Sequence, residues 1–326
     1  MGRKILTGVS AVSNWTSVAG ALEGALISLG STLDRTAIMG LSGHAFRLAI
    51  RTSSDGIADG ESSVCFDYAR ALQLYANLGY RMEQVSARPA DREYARRRED
   101  AIRQIRRSID HNTPAVVYDL QLPEFGLVKG YDDRAGVFYV STTVSAQYGE
   151  VLPLAQWPAP EHLRWVEVVL LGGRHRIERR KAEHAALAFA VDYAEHGDPR
   201  GPGDTAHGFA AYERWLEGYA QPDRLIRYGN ARCIQVVQAA RQDAARFLRD
   251  IARDYAVGIG AALKQAASAY DEEALALSRL ASLFPYPNGG DVSSPGNLAA
   301  GAASLRQAYT QERAAIAHLK TALLQS

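Results

Sequence analysis

The sequence predicts an α+β domain over residues 1–173, followed by an all-helical domain over residues 174–326. Two observations lead to this division. Before Gly172 and Gly173, helical periodicity alternates with short runs rich in β-branched and aromatic residues, whereas an alanine-rich helical period dominates after Ile177. A helical start followed by consecutive strands is typical of an α+β fold with an antiparallel sheet.

The first predicted helix covers residues 16–29. Its apolar side chains recur at helical spacing, so they share one face. Thr16 or Ser17 can cap its start and Gly30 can end it, because a hydroxyl binds the free amides of a first turn and glycine accepts a left-handed conformation. Two further helices are expected in this half, over residues 66–78 and 92–109.

Arginines are concentrated around the third of these helices, between Arg88 and Arg107. Asp91, Glu93 and Glu99 interleave with them, a pattern that favours a solvated surface with local ion pairs. The whole chain has 37 lysines and arginines against 36 aspartates and glutamates, a net charge of +1, so it offers no global field for a polyanion. We therefore do not expect a nucleic-acid partner.

Four β-rich runs follow the third helix and predict the antiparallel sheet. The segment DDRAG between the second and third runs predicts a hairpin turn, with Gly136 free to adopt a positive φ. The runs cover residues 114–120, 126–133, 137–142 and 164–172.

The second half predicts a helical bundle. In its third helix, apolar residues such as Ile234, Phe247 and Ile251 form one stripe, the pattern of a helix buried along one side. We expect the bundle to mediate self-association into a homo-oligomer. The predicted helices lie near residues 177–196, 207–219, 230–256, 258–283 and 298–324.

Composition indicates a soluble cytoplasmic protein. Polar residues interrupt the N-terminal segment, unlike a signal peptide, and no apolar run is long enough to cross a membrane. The two cysteines, Cys65 and Cys233, are far apart and predict neither a disulfide framework nor a thiolate metal site. Because phosphate-loop, zinc and dinucleotide motifs are also missing, we expect no cofactor, no metal and no membrane partner.

Three segments carry a resemblance to a known family. They are TSVAGALEGALISLG in the first helix, IMGLSGHAFRLAI over residues 38–50, and residues 101–142, which end in GYDDRAGVFYVST. In this order they resemble the papain-like superfamily, in particular its bacteriocin-processing cysteine peptidases and, more closely, the N-terminal domain of the butirosin biosynthesis protein H family. The resemblance covers roughly residues 8–172 and implies a papain-like fold there.

The resemblance also implies a reaction and a site. Members of this superfamily transfer an acyl group by thiolate attack, either in peptide cleavage or, in the butirosin-like branch, from a carrier protein onto an amine. Their cysteine begins the first helix, their histidine begins the strand before the GYDD-like turn, and an aspartate or asparagine follows the next strand. Carried onto this chain, the positions fall on Ser17, on Glu124 or Phe125, and on Thr142 or Thr143.

These replacements weaken the implied chemistry. A serine hydroxyl ionises far less readily than a thiol and depends on a well-placed base. The carboxylate of Glu124 is a weak base for an alcohol unless burial strongly raises its pKa. Ser17 is therefore either an altered nucleophile or a helix cap that faces an inherited cleft.

Two other positions offer reactive groups. His44 lies among glycines and can supply the missing imidazole, or bind a ligand carboxylate together with Arg47; a structural histidine is the alternative. Cys65 begins a predicted helix, where a thiol pKa can fall, so it is a candidate relocated nucleophile or a small buried residue.

Substrate contacts are predicted at aromatic and polar side chains. Asp119 lies near the end of the first predicted strand, and the aromatic residues of the second half suit recognition of a small molecule, with interhelix packing as the alternative. The candidate binding residues are Trp15, Arg47, Cys65, Asp119, Tyr212, Trp215 and Tyr228.

Three functions remain open from the sequence. The first is an acyl-transferring or amide-processing enzyme of bacterial specialised metabolism, with an acyl carrier protein as its implied partner. The second is a non-catalytic descendant that binds a small molecule or a partner protein in the old cleft. The third is acid or base chemistry on a bound metabolite by His44 or Glu124. An imidazole or a buried carboxylate within hydrogen-bond reach of Ser17 Oγ would favour the first.

Overall fold

A computed structural model describes residues 2–60 and 62–325 of the chain. The strands are β1 (Arg3–Ile5), β2 (Ala49–Ser53), β3 (Gly56–Ile57), β4 (Tyr80–Ala87), β5 (Ala115–Tyr118), β6 (Phe125–Asp132), β7 (Val137–Ser141), β8 (Val151–Pro153), β9 (Val166–Arg174) and β10 (Thr205–His207). The α-helices are α1 (Ser17–Ser28), α2 (Arg35–Leu41), α3 (Tyr68–Tyr75), α4 (Tyr94–Asp110), α5 (Ser145–Tyr148), α6 (Arg179–His196), α7 (Phe209–Ala220), α8 (Arg227–Ala252), α9 (Val257–Leu283) and α10 (Pro295–Leu324).

The chain forms two compact units that are interleaved in sequence. The first unit comprises the residues up to Ile38 together with Tyr75–Ile177. The second comprises Met39–Leu74 and the residues from Glu178 onward. Residues 39–74 therefore belong with the C-terminal helices, whereas the predicted first domain included them.

An antiparallel sheet forms the centre of the first unit. Its strand order is β4-β9-β5-β6-β7-β8, and β1 pairs with β6 beside this path. Strands β5, β6, β7 and β9 occupy the four β-rich runs, and the mixture of helices with antiparallel sheet confirms the α+β class. Gly136 has a φ of 66°, and Asp132 Oδ1 accepts hydrogen bonds from Arg134 N and Ala135 N, so the predicted hairpin turn is present.

Helices α4 and α1 pack on this sheet. The apolar face of α4, with Ile102, Ile105 and Ile109, shares a core with residues of the sheet strands. Helix α1 packs on β5 and β6. A Cβ added at Gly24 of α1 would lie 2.0 Å from Ser10 O, so the segment before the helix lies directly against its backbone.

The second unit is a helical bundle with a small sheet. Helix α9 packs against both α8 and α10 around a core that includes Trp215, Ile234 and Leu277. The three-stranded sheet has the order β10-β2-β3, so this unit is not all-helical as predicted. Strand β10 has only three residues and pairs with β2, which lies about 155 residues earlier, so a local sequence pattern does not reveal it.

Candidate functional site

Ser17 is the first residue of α1, the place that the family resemblance assigns to the nucleophile. Its side chain is buried, with 5% exposed, and Oγ accepts a hydrogen bond from Phe125 N at 3.1 Å. Thr16 occupies the N-cap position, but no side chain caps the helix, so the predicted capping role is wrong. Within residues 2–60 and 62–325, neither an imidazole nor a carboxylate bonds Ser17 Oγ.

Several predicted site residues gather where the β5–β6 hairpin meets α1. Asp119 N donates to Glu124 O at 2.9 Å and closes the turn between the two strands. Phe125, the amide partner of Ser17, begins β6 directly after Glu124. Thr142 follows β7, and its Cγ2 would lie 2.7 Å from a Cβ added at Gly126 of β6. The structure therefore brings Ser17, Glu124 and Thr142 to one end of the sheet.

The hydroxyl of Thr142 takes part in a local loop network. Oγ1 donates to Gln121 Oε1 and lies 3.1 Å from Ser145 Oγ, while Thr142 N donates to that same Oγ at 2.8 Å. A threonine hydroxyl does not ionise near neutral pH, so it cannot orient and charge-stabilise an imidazole as an aspartate does. Thr142 holds the loop after β7.

Asp119 is a buried acid with a raised pKa at this end of the sheet. Its side chain is buried, its Oδ2 accepts from Ala159 N at 3.0 Å, and its Oδ1 bonds His162 Nδ1 at 2.5 Å. Burial raises the pKa of Asp119 to about 6, against the opposing effect of the His162 hydrogen bond. A carboxylate on Nδ1 fixes the tautomer and the ring direction, and leaves Nε2 on the opposite edge of a partly exposed imidazole.

The loop that carries His162 is pinned to the sheet. Trp157 Nε1 donates to Tyr118 O at 2.9 Å, and Arg98 Nε donates to Trp157 O at 2.7 Å. Asp119 and Arg164 have positive φ values of 63° and 55°, an unfavourable conformation for residues with a Cβ. Strain of this kind persists only where the surrounding contacts enforce it, and here the Asp119–His162 pair is one of those contacts.

Sequence reasoning missed His162. The feature that could have revealed His162 is the order of the strands. Strand β5 pairs antiparallel with β9, with Val117 opposite Val168, so the end of β5 lies beside the start of β9. His162 lies four residues before β9 and Asp119 directly follows β5. Predicting that β5 and β9 are neighbours would have brought the two together.

In the second unit, His44 and Arg47 contact the ring of Phe66, the residue after Cys65. The His44 ring contacts Phe66 edge-on at 5.5 Å, the Arg47 guanidinium lies 4.7 Å from the Phe66 centroid, and Cys65 precedes Phe66 in the chain. Burial, with a contribution from Arg47, lowers the pKa of His44 well below its usual value, so the imidazole is neutral at pH 7. Cys65 is fully buried.

Arg47 is held by charge and by aromatic faces. Its Nη1 donates to Asp198 Oδ2 at 2.8 Å, and Phe189 and Tyr193 stack on the guanidinium at 4.7 and 5.3 Å. These contacts place it inside the unit, with the side chain 7% exposed. Arg47 was predicted to bind a ligand carboxylate, but its guanidinium is already paired with the carboxylate of Asp198.

The aromatic candidates of the second half have separate surroundings. Tyr212 is buried and its hydroxyl donates to Glu273, and Trp215 Nε1 donates to Asn230 Oδ1 at 2.7 Å. Tyr228 is exposed and contacts Tyr286. The first two belong to the bundle core, as interhelix packing predicts. Trp15 lies two residues before Ser17 and is half-buried.

Comparison with protein-family models and with curated proteins returned no match. In the described parts of the chain, none of the helices combines the length and apolar character needed to cross a bilayer. The same residues contain no group of three or more histidine, cysteine, aspartate or glutamate side chains arranged to hold a metal ion.

Proposed function

We propose that this protein is a non-catalytic binding protein on a papain-like scaffold, which accepts a small molecule or a partner protein in the cleft that its ancestors used for acyl transfer. The observation that carries the proposal is the hydrogen bond from Phe125 N to Ser17 Oγ. This bond uses the serine oxygen as an acceptor in a buried position, and no base shares the hydroxyl within the described residues.

The other two triad positions support the same function. Glu124 stands where the family has its imidazole, and its amide donates to Leu122 O within the hairpin turn. Thr142 stands where the family has its acid and bonds Gln121. A serine without an imidazole lacks the general base on which alkoxide attack depends. The three groups therefore serve hairpin and helix contacts better than acyl transfer.

The acyl-transferring enzyme is the second candidate, and one observation favours it. Ser17 begins α1 and α1 packs on β5 and β6, the position at which the superfamily presents its nucleophile. On this alternative Ser17 Oγ attacks a carrier-protein thioester and forms an ester as the carrier thiol leaves, and an amine then attacks this ester to form an amide and regenerate the serine hydroxyl.

Acyl-adduct mass spectrometry separates the two candidates. The protein is incubated with an acyl N-acetylcysteamine thioester, and wild type is compared with Ser17→Ala and Ser17→Cys. For a binding protein we expect no adduct on wild type and no difference between wild type and Ser17→Ala. An adduct on wild type that Ser17→Ala abolishes would establish the second candidate in its place.

Native mass spectrometry then tests the binding function directly. Freshly purified wild-type protein is expected to carry a dissociable small molecule or a second protein at a fixed stoichiometry. Ser17→Trp, which places a bulky side chain at the start of α1, should lose that species, while Arg134→Ala in the exposed β6–β7 turn should keep it. Retention of the same species by a folded Ser17→Trp protein would contradict binding at this site.

A further inference from the structure

A recess in the first unit lies at the opposite end of α1 from Ser17. Three chain segments meet there: residues 31–33 after α1, residues 78–80 at the start of β4, and residues 174–177 at the end of β9. They enclose about 490 Å³, within the range of small-molecule sites. Since α1 has 12 residues, its two ends are about 18 Å apart.

Backbone hydrogen bonds and one glycine shape this recess. His175 N donates to Gly79 O at 2.9 Å, and Tyr80 pairs with Arg174 in the β4–β9 ladder. Gly79 has a φ of 86°, and a Cβ there would lie 3.1 Å from Ile177 Cδ1. The positive φ favours glycine at this position, and a Cβ there would also crowd the Ile177 side chain.

One part of the lining is cationic. Arg174, His175 and Arg176 are consecutive and exposed, and all three border the recess. In the described part of the chain, neither the Arg174 nor the Arg176 guanidinium has a hydrogen-bond or carboxylate partner. The C-terminus of α1 adds about half a negative charge nearby, which the two guanidinium charges outweigh.

The rest of the lining is apolar or carries hydroxyls. Leu33, Leu78 and Ile177 supply hydrocarbon surface, and Ser31 and Thr32 supply hydroxyl groups. Guanidinium groups bind carboxylate and phosphate oxygens through paired N–H donors, while apolar side chains favour a hydrocarbon or aromatic body. The two kinds of lining are complementary to the two ends of an amphipathic anion.

We propose that this recess binds a small organic anion that joins a phosphate or carboxylate to an apolar group. Arg174 and Arg176 hold the anionic end, and Leu33, Leu78 and Ile177 contact the apolar end. The site goes beyond the proposed function, because it is built from different residues at the other end of α1, and each proposal can fail without the other.

Calorimetric titration of the full chain with four probes tests the site. The probes are phenyl phosphate, benzoate, inorganic phosphate and benzyl alcohol. We expect saturable binding of phenyl phosphate or benzoate, with weaker binding of inorganic phosphate and benzyl alcohol, since each offers only one of the two ends. Comparing the first two probes identifies which anionic group the site prefers. Equal affinity for phenyl phosphate and inorganic phosphate would overturn the amphipathic ligand.

Variants locate the binding. Arg174→Ala and Arg176→Ala are each expected to weaken the preferred probe by about tenfold, because each loses a charge-assisted contact. Arg134→Ala removes an exposed arginine from the β6–β7 turn and should leave affinity unchanged. The proposal would be overturned if all three variants bound the probe with the affinity of wild type, or if wild type showed no saturable binding of any probe.

Discussion

The carboxylate of Asp119 holds Nδ1 of His162, a residue 43 positions further along the chain. The pair joins the end of β5 to the loop before β9, two segments that the antiparallel sheet already brings side by side. The strength of this contact is expected to follow pH, because burial raises the pKa of Asp119 to about 6.

Asp119→Asn is expected to remove a pH dependence of stability. The pKa of Asp119 is about 6 in the folded protein against 3.8 ordinarily, so the folded state binds the proton more tightly. Its contribution to the free energy of unfolding is therefore present below pH 3.8 and is lost as pH rises through about 6. The loss amounts to about 3 kcal/mol at most, from roughly two pKa units.

Urea unfolding at several pH values between these limits measures the effect as the difference between wild type and variant. Glu99→Gln, at an exposed position of α4, serves as the control and should keep the wild-type slope. If Asp119→Asn kept that slope as well, the raised pKa of Asp119 would be contradicted.

Arg241→Met is expected to destabilise the second unit strongly. The Arg241 guanidinium is fully buried and contacts the carboxylates of Glu273 at 2.8 Å and Glu312 at 2.7 Å. It also donates to Ala45 O and Arg47 O. Removing the cation leaves two carboxyl groups buried together, so the free energy of unfolding should fall by roughly 3–5 kcal/mol.

A companion variant distinguishes the effect of leaving two carboxylates without a cation from the effect of losing the packing of the Arg241 side chain. Adding Glu273→Gln and Glu312→Gln to Arg241→Met removes the uncompensated carboxylates, and it should recover part of the stability in chemical unfolding. A single Arg241→Met protein as stable as wild type would show that the cluster contributes no net stability.

Gly24→Ala is expected to lower stability, whereas Gly296→Ala is expected to leave it unchanged or raise it slightly. In a helix, alanine is ordinarily more stable than glycine by roughly 0.5–1 kcal/mol. A Cβ at Gly24 would lie 2.0 Å from Ser10 O, which forces a backbone shift, whereas the nearest atom to one at Gly296 is Ser294 Oγ at 3.8 Å. Gly24→Ala should therefore destabilise by about 1–3 kcal/mol.

Thermal unfolding of both alanine variants provides the comparison, with Gly296→Ala expected to match or slightly exceed wild type. A neutral Gly24→Ala would mean that the segment before α1 does not lie against the helix as described.

Neither cysteine is expected to react with iodoacetamide in the native protein. Cys65 and Cys233 are both buried, and burial raises the pKa of the Cys233 thiol to about 11. Both should be labelled after unfolding in urea. Mass spectrometry of native Cys65→Ser and Cys233→Ser proteins assigns any residual reaction, and rapid labelling of native Cys65 would restore it as a candidate nucleophile.

Local sequence patterns were sufficient to predict the elements whose conformation depends on residues close to each other in the chain. The apolar stripe of α4 and the DDRAG turn are of this kind, because spacing and turn chemistry act over a few residues. Strand β4 was missed. Its sequence YRMEQVSA carries long polar side chains, as an edge strand can, and it is specified by its pairing with β9.

The candidate site also combines features that local sequence predicts with features that depend on distant parts of the chain. Ser17 at the start of α1 follows from helical spacing, whereas the bond between its Oγ and Phe125 N depends on a contact across 108 residues. The glycines around His44 left two predictions open, an imidazole of the site or a structural histidine. Its burial comes from elements such as α8, whose Arg241 reaches Ala45 O from 196 residues away, and short-range periodicity carries no information about such partners.

The polypeptide passes from one unit to the other three times, at residues 38–39, 74–75 and 177–178. No single cut can separate the two units. A fragment ending near residue 173 would contain 39–74 without the helices that bury it, exposing Phe46 and Ile57 to water. During synthesis, residues 39–74 are made before residues 178–326, so they can dock on the C-terminal helices only after those helices have been made. Producing the first unit alone requires removing residues 39–74 and joining residue 38 to residue 75, whereas producing the second requires removing residues 75–177 and joining residue 74 to residue 178.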